Sequence, residues 1–277
     1  MTTPTNGQRY TRRAVIGTLA AASVGAPVLL SQMASAAPEP EAAATPLWHP
    51  VPSKDGLKAY EGLEYDRANL VPSRHSDYIV VEDGDHYRFN IWRDDRDSTG
   101  DGDRQRTEAK GMVQNGTALK MVDGQTWNIS YEMYMPSTLH GTSKFTHIFQ
   151  TKIPSTDAGP FVTLDLTRES STSETLRARA YANSGSPTIA STPLGPLRGT
   201  WVTIRWTLTI GSSGSARFVC VDSAGKTVAD GTMHGVNIPD QGDYVRPKWG
   251  IYRSVESASS DIVDTYILFR DYQASRA

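Results

Sequence analysis

The sequence holds a single cysteine, Cys220, among its 277 residues. One thiol excludes a framework of intrachain disulfides, and its place in an apolar stretch predicts a small buried side chain. After residue 30 no apolar run approaches the roughly 20 residues that a membrane-spanning helix needs. No window shows a sustained helical period of apolar residues. The sequence therefore predicts neither a disulfide-stapled protein, nor a helical one, nor one that spans a membrane.

The one long apolar stretch lies near the N-terminus, between residues 14 and 30. It follows the pair Arg12 and Arg13 and precedes Ala34-Ser35-Ala36, an order typical of a twin-arginine export signal. Its length and its internal glycines and proline disfavour a transmembrane helix. We therefore predict a signal peptide at residues 1–36 and a protein that is secreted, with no membrane partner.

Acidic residues outnumber basic residues in the rest of the chain. Removing residues 1–36 takes away three arginines and no acid, which leaves 25 Lys and Arg against 30 Asp and Glu. An acidic balance disfavours nucleic acid as a partner. Residues 37–46 are rich in Ala, Pro and Glu and predict a disordered leader. Residues 47–277 are expected to form one domain and a monomer.

Alternating apolar and polar residues dominate from Tyr78 onward. The longest half-buried strands are predicted at Thr126–Met135 and Trp201–Ile210. Shorter alternating segments follow as far as Tyr272, each bounded by Gly, Pro, Ser or Asp. Roughly a dozen short strands in one exported domain predict an all-β fold, a β-jelly roll of two packed antiparallel sheets.

One short strand separates core residues from chemically active ones. In Lys248–Arg253, Trp249 and Ile251 are predicted to face the core, whereas Lys248 and Tyr252 share the other face. Two earlier segments divide in the same way, and their outward polar residues are Arg104, Arg106, Glu108, Gln150 and Lys152. Cations, an amide and a phenol on shared faces predict a groove for an anionic polymer.

His147 has the opposite parity in its own segment. It alternates with Phe145 and Phe149, which predicts a core histidine. A role at the site would need a β-bulge that breaks the alternation.

These segments resemble, in order, the motifs of jelly-roll polysaccharide lyases that cleave polyuronates, the alginate lyase and glucuronan lyase type. Arg106-Thr107-Glu108 resembles R-[TS]-E, Lys248–Tyr252 resembles K-A-G-x-Y, and Gln150-Thr151-Lys152 lies where the family has Q-I-H. The resemblance implies a concanavalin-like sandwich with a concave groove, an anionic polysaccharide substrate, β-elimination and no required cofactor.

The resemblance also implies roles for single residues. Arg106 and Gln150 would neutralise the uronate carboxylate, and Glu108 would orient Arg106. Tyr252 would act as acid, base or both, with its phenol pKa lowered by Lys248.

One departure from the family pattern leaves the general base open. Lys152 stands where the alginate lyase motif has histidine. Either Lys152 joins the carboxylate clamp and Tyr252 takes the proton, which we favour, or a histidine outside the motifs such as His75 or His86 enters the groove. The departure also favours a glucuronan-like substrate over alginate.

Further substrate contacts are predicted on other strand faces. Trp92 shares the parity of Arg88, and a large aromatic ring on a polar face is a candidate for sugar stacking. The full set of predicted substrate-binding residues is Glu108, Arg104, Trp92, Arg88, Arg177, Arg179, Arg253 and His147.

An acidic loop spans residues 94–103. Carboxylates at alternate positions with glycine are typical of calcium loops, so Asp97, Asp101 and Asp103 are predicted ligands of a structural calcium ion. No helical pattern flanks the loop, which disfavours an EF-hand. A solvated loop is the alternative.

Two other functions stay open at this point. A non-catalytic carbohydrate-binding jelly roll would need no tyrosine beside a cation. A concanavalin-like glycoside hydrolase would use paired carboxylates on one strand. Asp165 and Glu169 are the nearest such pair, but the preceding glutamate of an E-x-D-x-x-E pattern is missing.

Overall fold

The computed structural model describes residues 45–98, 102–155, 158–170, 173–181 and 185–277. The predicted signal peptide and most of the predicted leader lie outside these residues. Within the described ranges, no helix is both long and apolar enough to cross a membrane.

Short strands make up most of the described chain. In order they are β1 (Gly62–Tyr65), β2 (Ile79–Glu82), β3 (His86–Ile91), β4 (Arg104–Lys110), β5 (Val113–Gln114), β6 (Thr117–Ala118), β7 (Thr126–Tyr134), β8 (Thr146–Lys152), β9 (Val162–Arg168), β10 (Glu174–Ala180), β11 (Thr188–Pro193), β12 (Trp201–Thr209), β13 (Gly211–Val221), β14 (Thr227–Ile238), β15 (Arg246–Ser254) and β16 (Thr265–Arg276). One α-helical turn, α1 (Pro52–Asp55), and 3-10 turns at Gly56–Ala59, Pro72–Arg74 and Gly195–Leu197 complete the elements.

The strands form two seven-stranded antiparallel sheets. The first has the order β1-β4-β15-β8-β9-β10-β11, and the second has the order β14-β13-β12-β7-β16-β3-β2. Strands β5 and β6 form a separate small hairpin. Neighbours such as β4 and β15 are far apart in sequence, as expected for a jelly roll. The predicted all-β sandwich is confirmed.

Aromatic side chains fill the space between the two sheets. Trp249 of the first sheet stacks on Trp48 with ring centroids 5.3 Å apart, and Phe149 stacks on Trp206 of the second sheet at 5.2 Å. Burial of a large apolar side chain contributes about 1.5 to 3 kcal/mol. Trp249 and Ile251 are fully buried, as the alternation predicted, and so is Cys220. The alternate residues of the first sheet therefore face outward, and they carry the candidate site.

Candidate active site

Directly paired strand positions bring five polar residues into one row across the first sheet. The register pairs Arg106 with Tyr252, Tyr252 with His147, His147 with Asp165, and Asp165 with Arg177. Neighbouring strands lie about 4.8 Å apart, so consecutive members of this row are in contact range. We call this set the Tyr252 row.

A second row of paired positions runs beside the first. Its members on β4, β15, β8, β9 and β10 are Lys110, Lys248, Gln150, Thr163 and Arg179. We call it the Lys248 row. Together the two rows bring Arg106, Tyr252, Lys248, Gln150, Arg177 and Arg179 onto one outer face, as predicted.

A bulge in β8 places His147 on this face, so the prediction of a core histidine is wrong. His147 pairs with Asp165 and Phe149 pairs with Leu164, so two steps along β8 oppose a single step along β9. Ile148 and Phe149 are consecutive, yet both are buried in the core at 1% exposure. This is the break in alternation that a site role for His147 required. The adjacent apolar pair is the sequence signal that could have revealed it.

His147 is fixed by a buried carboxylate. Its Nδ1 lies 2.5 Å from Oδ1 of Asp165. The other carboxylate oxygen, Oδ2, accepts hydrogen bonds from the Thr163 hydroxyl at 3.0 Å and from Arg179 Nε at 2.5 Å. Since an ionised carboxylate only accepts, Nδ1 of a neutral His147 donates and Nε2 keeps its lone pair. The arrangement suits a general base.

Tyr252 is held beside His147 by two arginines. Its phenol oxygen accepts a hydrogen bond from Arg104 Nη1 at 3.1 Å, and the guanidinium carbon of Arg106 lies 3.7 Å from the ring centroid. The rings of Tyr252 and His147 have centroids 5.9 Å apart, and Phe145 lies 5.0 Å from each. Cations at the oxygen and at the ring face stabilise negative charge that develops on the phenol.

Lys248 does not have the place implied for it. Its Nζ donates to Glu64 at 2.6 Å and to Glu108 at 2.7 Å, and the residue is only 3% exposed. Lys248 lies four residues from Tyr252 on the same strand, about 13 Å away along an extended chain. Arg104 is the cation at the phenol instead.

Three carboxylates surround Arg106. Its Nε donates to Asp97 at 3.1 Å, and its Nη1 donates to Glu108 at 2.6 Å and to Glu64 at 3.3 Å. The predicted contact between Glu108 and Arg106 is therefore present. Although burial opposes it, the field of Lys248 and Arg106 holds the pKa of Glu108 below its usual value. The arrangement makes Arg106 a rigid part of the sheet face, whose three carboxylate partners are shared with Arg67, Lys110 and Lys248.

Gln150 and Lys152 lie on the predicted face but away from Tyr252. Gln150 is 1% exposed, and its Nε2 donates to Glu108 Oε1 at 2.5 Å, so it belongs to the buried hydrogen-bond network around Glu108. Lys152 pairs with Arg246, six residues and about 20 Å of extended strand from Tyr252. Lys152 therefore cannot act on the same sugar carbon as Tyr252.

Three predicted substrate-binding residues lie elsewhere. Arg88 belongs to β3 in the second sheet, where it bonds Glu82 and Asn90. Trp92 follows β3, is partly buried and packs edge-on against a core tyrosine at 5.1 Å. Arg253 is fully buried on the core side, and that burial lowers its pKa to about 10, which leaves it charged at neutral pH. For Arg88, alternation gives the side of the strand but not the sheet to which the strand belongs. Arg253 instead shares the core-facing parity of Trp249 and Ile251 on β15.

The alternative histidines are also away from this face. His75 Nε2 lies 2.9 Å from Asp66, and His86 on β3 lies between two carboxylates of the second sheet. The carboxylate of Asp165, considered above for hydrolysis, is 1% exposed and engaged by His147. His147 is thus the histidine that the first sheet brings to Tyr252.

The described carboxylates of the acidic loop include two that form ion pairs with arginines near Tyr252. Asp97 is fully buried, and its carboxylate is held by Arg67 and Arg106. Asp103 pairs with Arg104 at 2.9 Å, and Asp101 lies outside the described residues. Among the described residues, no group of three or more His, Cys, Asp or Glu side chains is arranged to hold a metal. Asp97 therefore anchors Arg106, and the calcium site stays a prediction.

Comparisons with known proteins bear on the fold. No protein-family model matches the chain, and no curated protein sequence matches it. Among solved structures, the family 7 alginate lyase A1-II′ in complex with substrate is similar with a TM-score of 0.57 and 15% identity, covering 82% of this chain and 97% of that chain. Alginate lyase PA1167 from Pseudomonas aeruginosa has a TM-score of 0.53 and 14% identity, covering 80% and 99%.

A family 14 enzyme shows the same likeness. The marine alginate lyase from Aplysia kurodai has a TM-score of 0.52 and 12% identity, covering 84% of this chain and 100% of that chain. At such identities a structural likeness shows the fold. The resemblance to jelly-roll polyuronate lyases is confirmed at that level, and the chain has the jelly-roll fold of these alginate lyases.

Proposed function

We propose that this protein is a polysaccharide lyase that cleaves a uronic-acid-containing polymer by β-elimination. The observation that carries the proposal is the directly paired Tyr252 and His147, with Arg104 on the phenol and Asp165 on the imidazole. A non-catalytic sugar-binding face would need neither the buried Asp165–His147 pair nor the guanidinium at the phenol oxygen. The shared fold with alginate lyases supports the same reaction class.

In the proposed reaction the uronate residue loses its C5–H and C4–O bonds and gains a C4=C5 double bond, while His147 gains a proton and Tyr252 gives one up. Nε2 of His147 accepts the proton from C5 of a uronate residue, and the C–H electron pair becomes the C4=C5 double bond. The C4–O bond breaks, and the leaving oxygen takes the proton of the Tyr252 hydroxyl. General acid–base groups of this kind contribute about 10² to 10⁴ in rate.

Electrostatic stabilisation has to supply much of the remaining rate. The C5 proton is weakly acidic because it lies next to a carboxylate, so negative charge builds on that carboxylate as the proton leaves. Arg104 has a side chain 32% exposed beside Tyr252, whereas Arg106 is 9% exposed beneath the ring. We place the uronate carboxylate against these two guanidinium groups, because preorganised cations stabilise developing charge without reorganisation.

The assignment replaces Lys152 with His147 as the partner of Tyr252. In the alternative, Tyr252 both takes and gives the proton, and the pH profile of a His147 variant distinguishes the two mechanisms. We propose that the enzyme acts as a secreted monomer. Calcium, if bound, would serve stability, because the candidate site is already rich in cations.

A substrate screen tests the function. The purified protein is incubated with glucuronan, alginate, heparin-like and pectic polymers, and the ultraviolet absorbance of the conjugated double bond is followed. We expect one polyuronate to give unsaturated ends. New reducing ends without that absorbance would establish a hydrolase, and retention on the polymer without any cleavage would establish a binding protein; either outcome overturns the proposal.

A further inference from the structure

Three aromatic side chains form a strip on the outer face of the second sheet. Trp201 of β12 pairs directly with Tyr134 of β7, and their ring centroids are 5.8 Å apart. Tyr266 of β16 lies 6.5 Å from Tyr134 with the ring planes only 6° apart. All three side chains are half-buried and face away from the core. We call this set the aromatic strip.

Arginines cover both ends of the aromatic strip. The guanidinium carbon of Arg270 lies 4.1 Å from the centroid of Trp201, and that of Arg88 lies 3.6 Å from the centroid of Tyr266. Glu132 holds Arg270 through Nε at 2.6 Å, and Glu82 holds Arg88 through Nη1 at 3.1 Å. These contacts fix the planar guanidinium groups next to the rings, where unused N–H groups can meet a ligand.

A cavity of about 560 Å³ opens beside Trp201. Its lining includes Arg205, Arg270, Glu132 and Asp222. Arg205 is exposed, and within the described residues it makes no ion pair or side-chain hydrogen bond. Glu132 is neutralised by Arg270, and Asp222 accepts backbone N–H groups of its own turn. Arg205 is therefore the cation of this cavity that is available for an anion.

The chemistry of this surface selects one kind of ligand. Flat rings stack against the apolar faces of pyranose sugars, and ring separations of 5.8 and 6.5 Å are comparable to the length of one sugar residue. A free guanidinium binds carboxylates. The core does not need these rings, since they lie on the outer face. A chain of sugars that carries carboxylates satisfies both the aromatic strip and Arg205.

We propose that the aromatic strip and Arg205 form a second binding site for an acidic polysaccharide, on the opposite sheet from Tyr252. The polymer class rests on the proposed function, but the site performs no chemistry. It would hold a long polymer near the enzyme while another stretch of polymer reaches the Tyr252 row. A short oligosaccharide bound at the Tyr252 row would not reach the strip.

Affinity electrophoresis in gels that contain alginate or glucuronan tests the site. Binding is measured in a Tyr252→Phe background, so that the polymer is not cut. We expect Trp201→Ala and, independently, Arg205→Gln to weaken retardation at least threefold. In the wild-type background, both variants should keep the wild-type elimination rate on a trisaccharide. Melting temperature confirms folding, and the exposed Arg205→Gln keeps the test valid if Trp201→Ala unfolds.

The chain offers a matched control for Arg205. Arg217 lies on the same face of the neighbouring strand β13, away from the aromatic strip, and pairs with Asp230. Arg217→Gln should leave retardation unchanged. The proposal is overturned if Arg205→Gln behaves like Arg217→Gln, or if a neutral hydroxyethylcellulose gel retards the protein as strongly as the acidic gels. Absence of any polymer cleavage by the wild type would instead refute the elimination, because the gel assay does not depend on it.

Discussion

The hydroxyl of Tyr252 is the group on which the proposed elimination depends most directly. Tyr252→Phe keeps the ring that lies 3.7 Å from Arg106 and removes only the oxygen that accepts from Arg104. We expect turnover on the best substrate to fall by about 10² to 10⁴, with polymer binding nearly unchanged. Initial rates and isothermal titration calorimetry measure the two effects.

Tyr244 provides a matched control for this change. Its hydroxyl donates to Glu61 at 2.6 Å, and Tyr244 precedes β15 and is not a member of the Tyr252 row. Tyr244→Phe should change turnover by less than about twofold, since a single hydrogen bond outside the row contributes to stability and not to the reaction. Retention of more than about a tenth of the wild-type rate by Tyr252→Phe would refute the assignment of the site.

His147 decides which residue takes the C5 proton. If Nε2 is the base, its protonation stops the reaction, so kcat/KM should fall as the pH is lowered. His147→Asn keeps an amide N–H that can face Asp165 but has no basic nitrogen, and it should lose both most of the rate and that acid limb. An unchanged acid limb in the residual activity of His147→Asn would assign the base to Tyr252.

At the scale of the element, bulges explain why alternation predicted some side chains correctly and misplaced His147. Trp249, Ile251 and Tyr252 follow the regular pleat of β15 against β4, where the register has no shift. The pairing of β8 with β9 shifts by one residue, so parity before Ile148 is reversed relative to parity after it. A one-residue shift moves every later side chain to the other face, and it depends on partner strands that are distant in sequence.

Gly250 marks the other irregular point of the site. Its φ is +137°, and a Cβ built there would lie 2.0 Å from the backbone oxygen of Thr107 on β4. We expect Gly250→Ala to cost about 3 kcal/mol of unfolding free energy, because both the backbone strain and the clash with a rigid strand must be relieved. The melting temperature should fall by about 6 to 12 °C, as measured by thermal denaturation.

Gly195 supplies the comparison for that substitution. A Cβ at Gly195 meets no atom within 4 Å, and its φ is not positive. Gly195→Ala should therefore leave the melting temperature within about 2 °C of the wild-type value, as expected for a change of a few tenths of a kcal/mol. Equal effects at Gly195 and Gly250 would show that close approach of β4 and β15 is not what requires glycine.

At the scale of the whole molecule, the sequence predicts the layered fold better than it predicts membership of each sheet. Strand alternation and frequent turn residues are local, and they predict two packed sheets. The assignment of β3 to the second sheet arises from its pairing with β16, about 180 residues later, and this moves Arg88 away from Tyr252. Pairing between strands so far apart leaves no local signal in the sequence. The division of β4 and β15 into two faces does leave one, because it is visible in the alternation within each strand.

The carboxylates beneath the Tyr252 row should make the stability of the whole fold sensitive to acid. Burial opposes ionisation of Glu64, but Lys248, Lys110 and Arg106 outweigh it and hold its pKa far below the usual value. Glu108 is shifted in the same direction by Lys248 and Arg106. A lowered pKa in the folded state contributes stability that is complete above the unfolded pKa of about 4.3 and is lost as the pH falls below it.

Urea denaturation at pH 7 and pH 3 measures this contribution. Each of the two carboxylates can account for a loss of up to about 2 kcal/mol of unfolding free energy at pH 3. At that pH the carboxylate is protonated in the unfolded chain but still ionised in the folded protein, and this protonation favours the unfolded state. Glu108→Gln should lower the unfolding free energy at pH 7 by about 3 kcal/mol, because Arg106 and Lys248 lose a buried partner. Between pH 7 and pH 3, the unfolding free energy of Glu108→Gln should also fall by less than that of the wild type.

Asp230→Asn, which breaks an exposed ion pair with Arg217, should change the unfolding free energy at pH 7 by less than about 1 kcal/mol. If the unfolding free energy of Glu108→Gln fell between pH 7 and pH 3 by as much as that of the wild type, the carboxylates responsible would lie elsewhere in the fold.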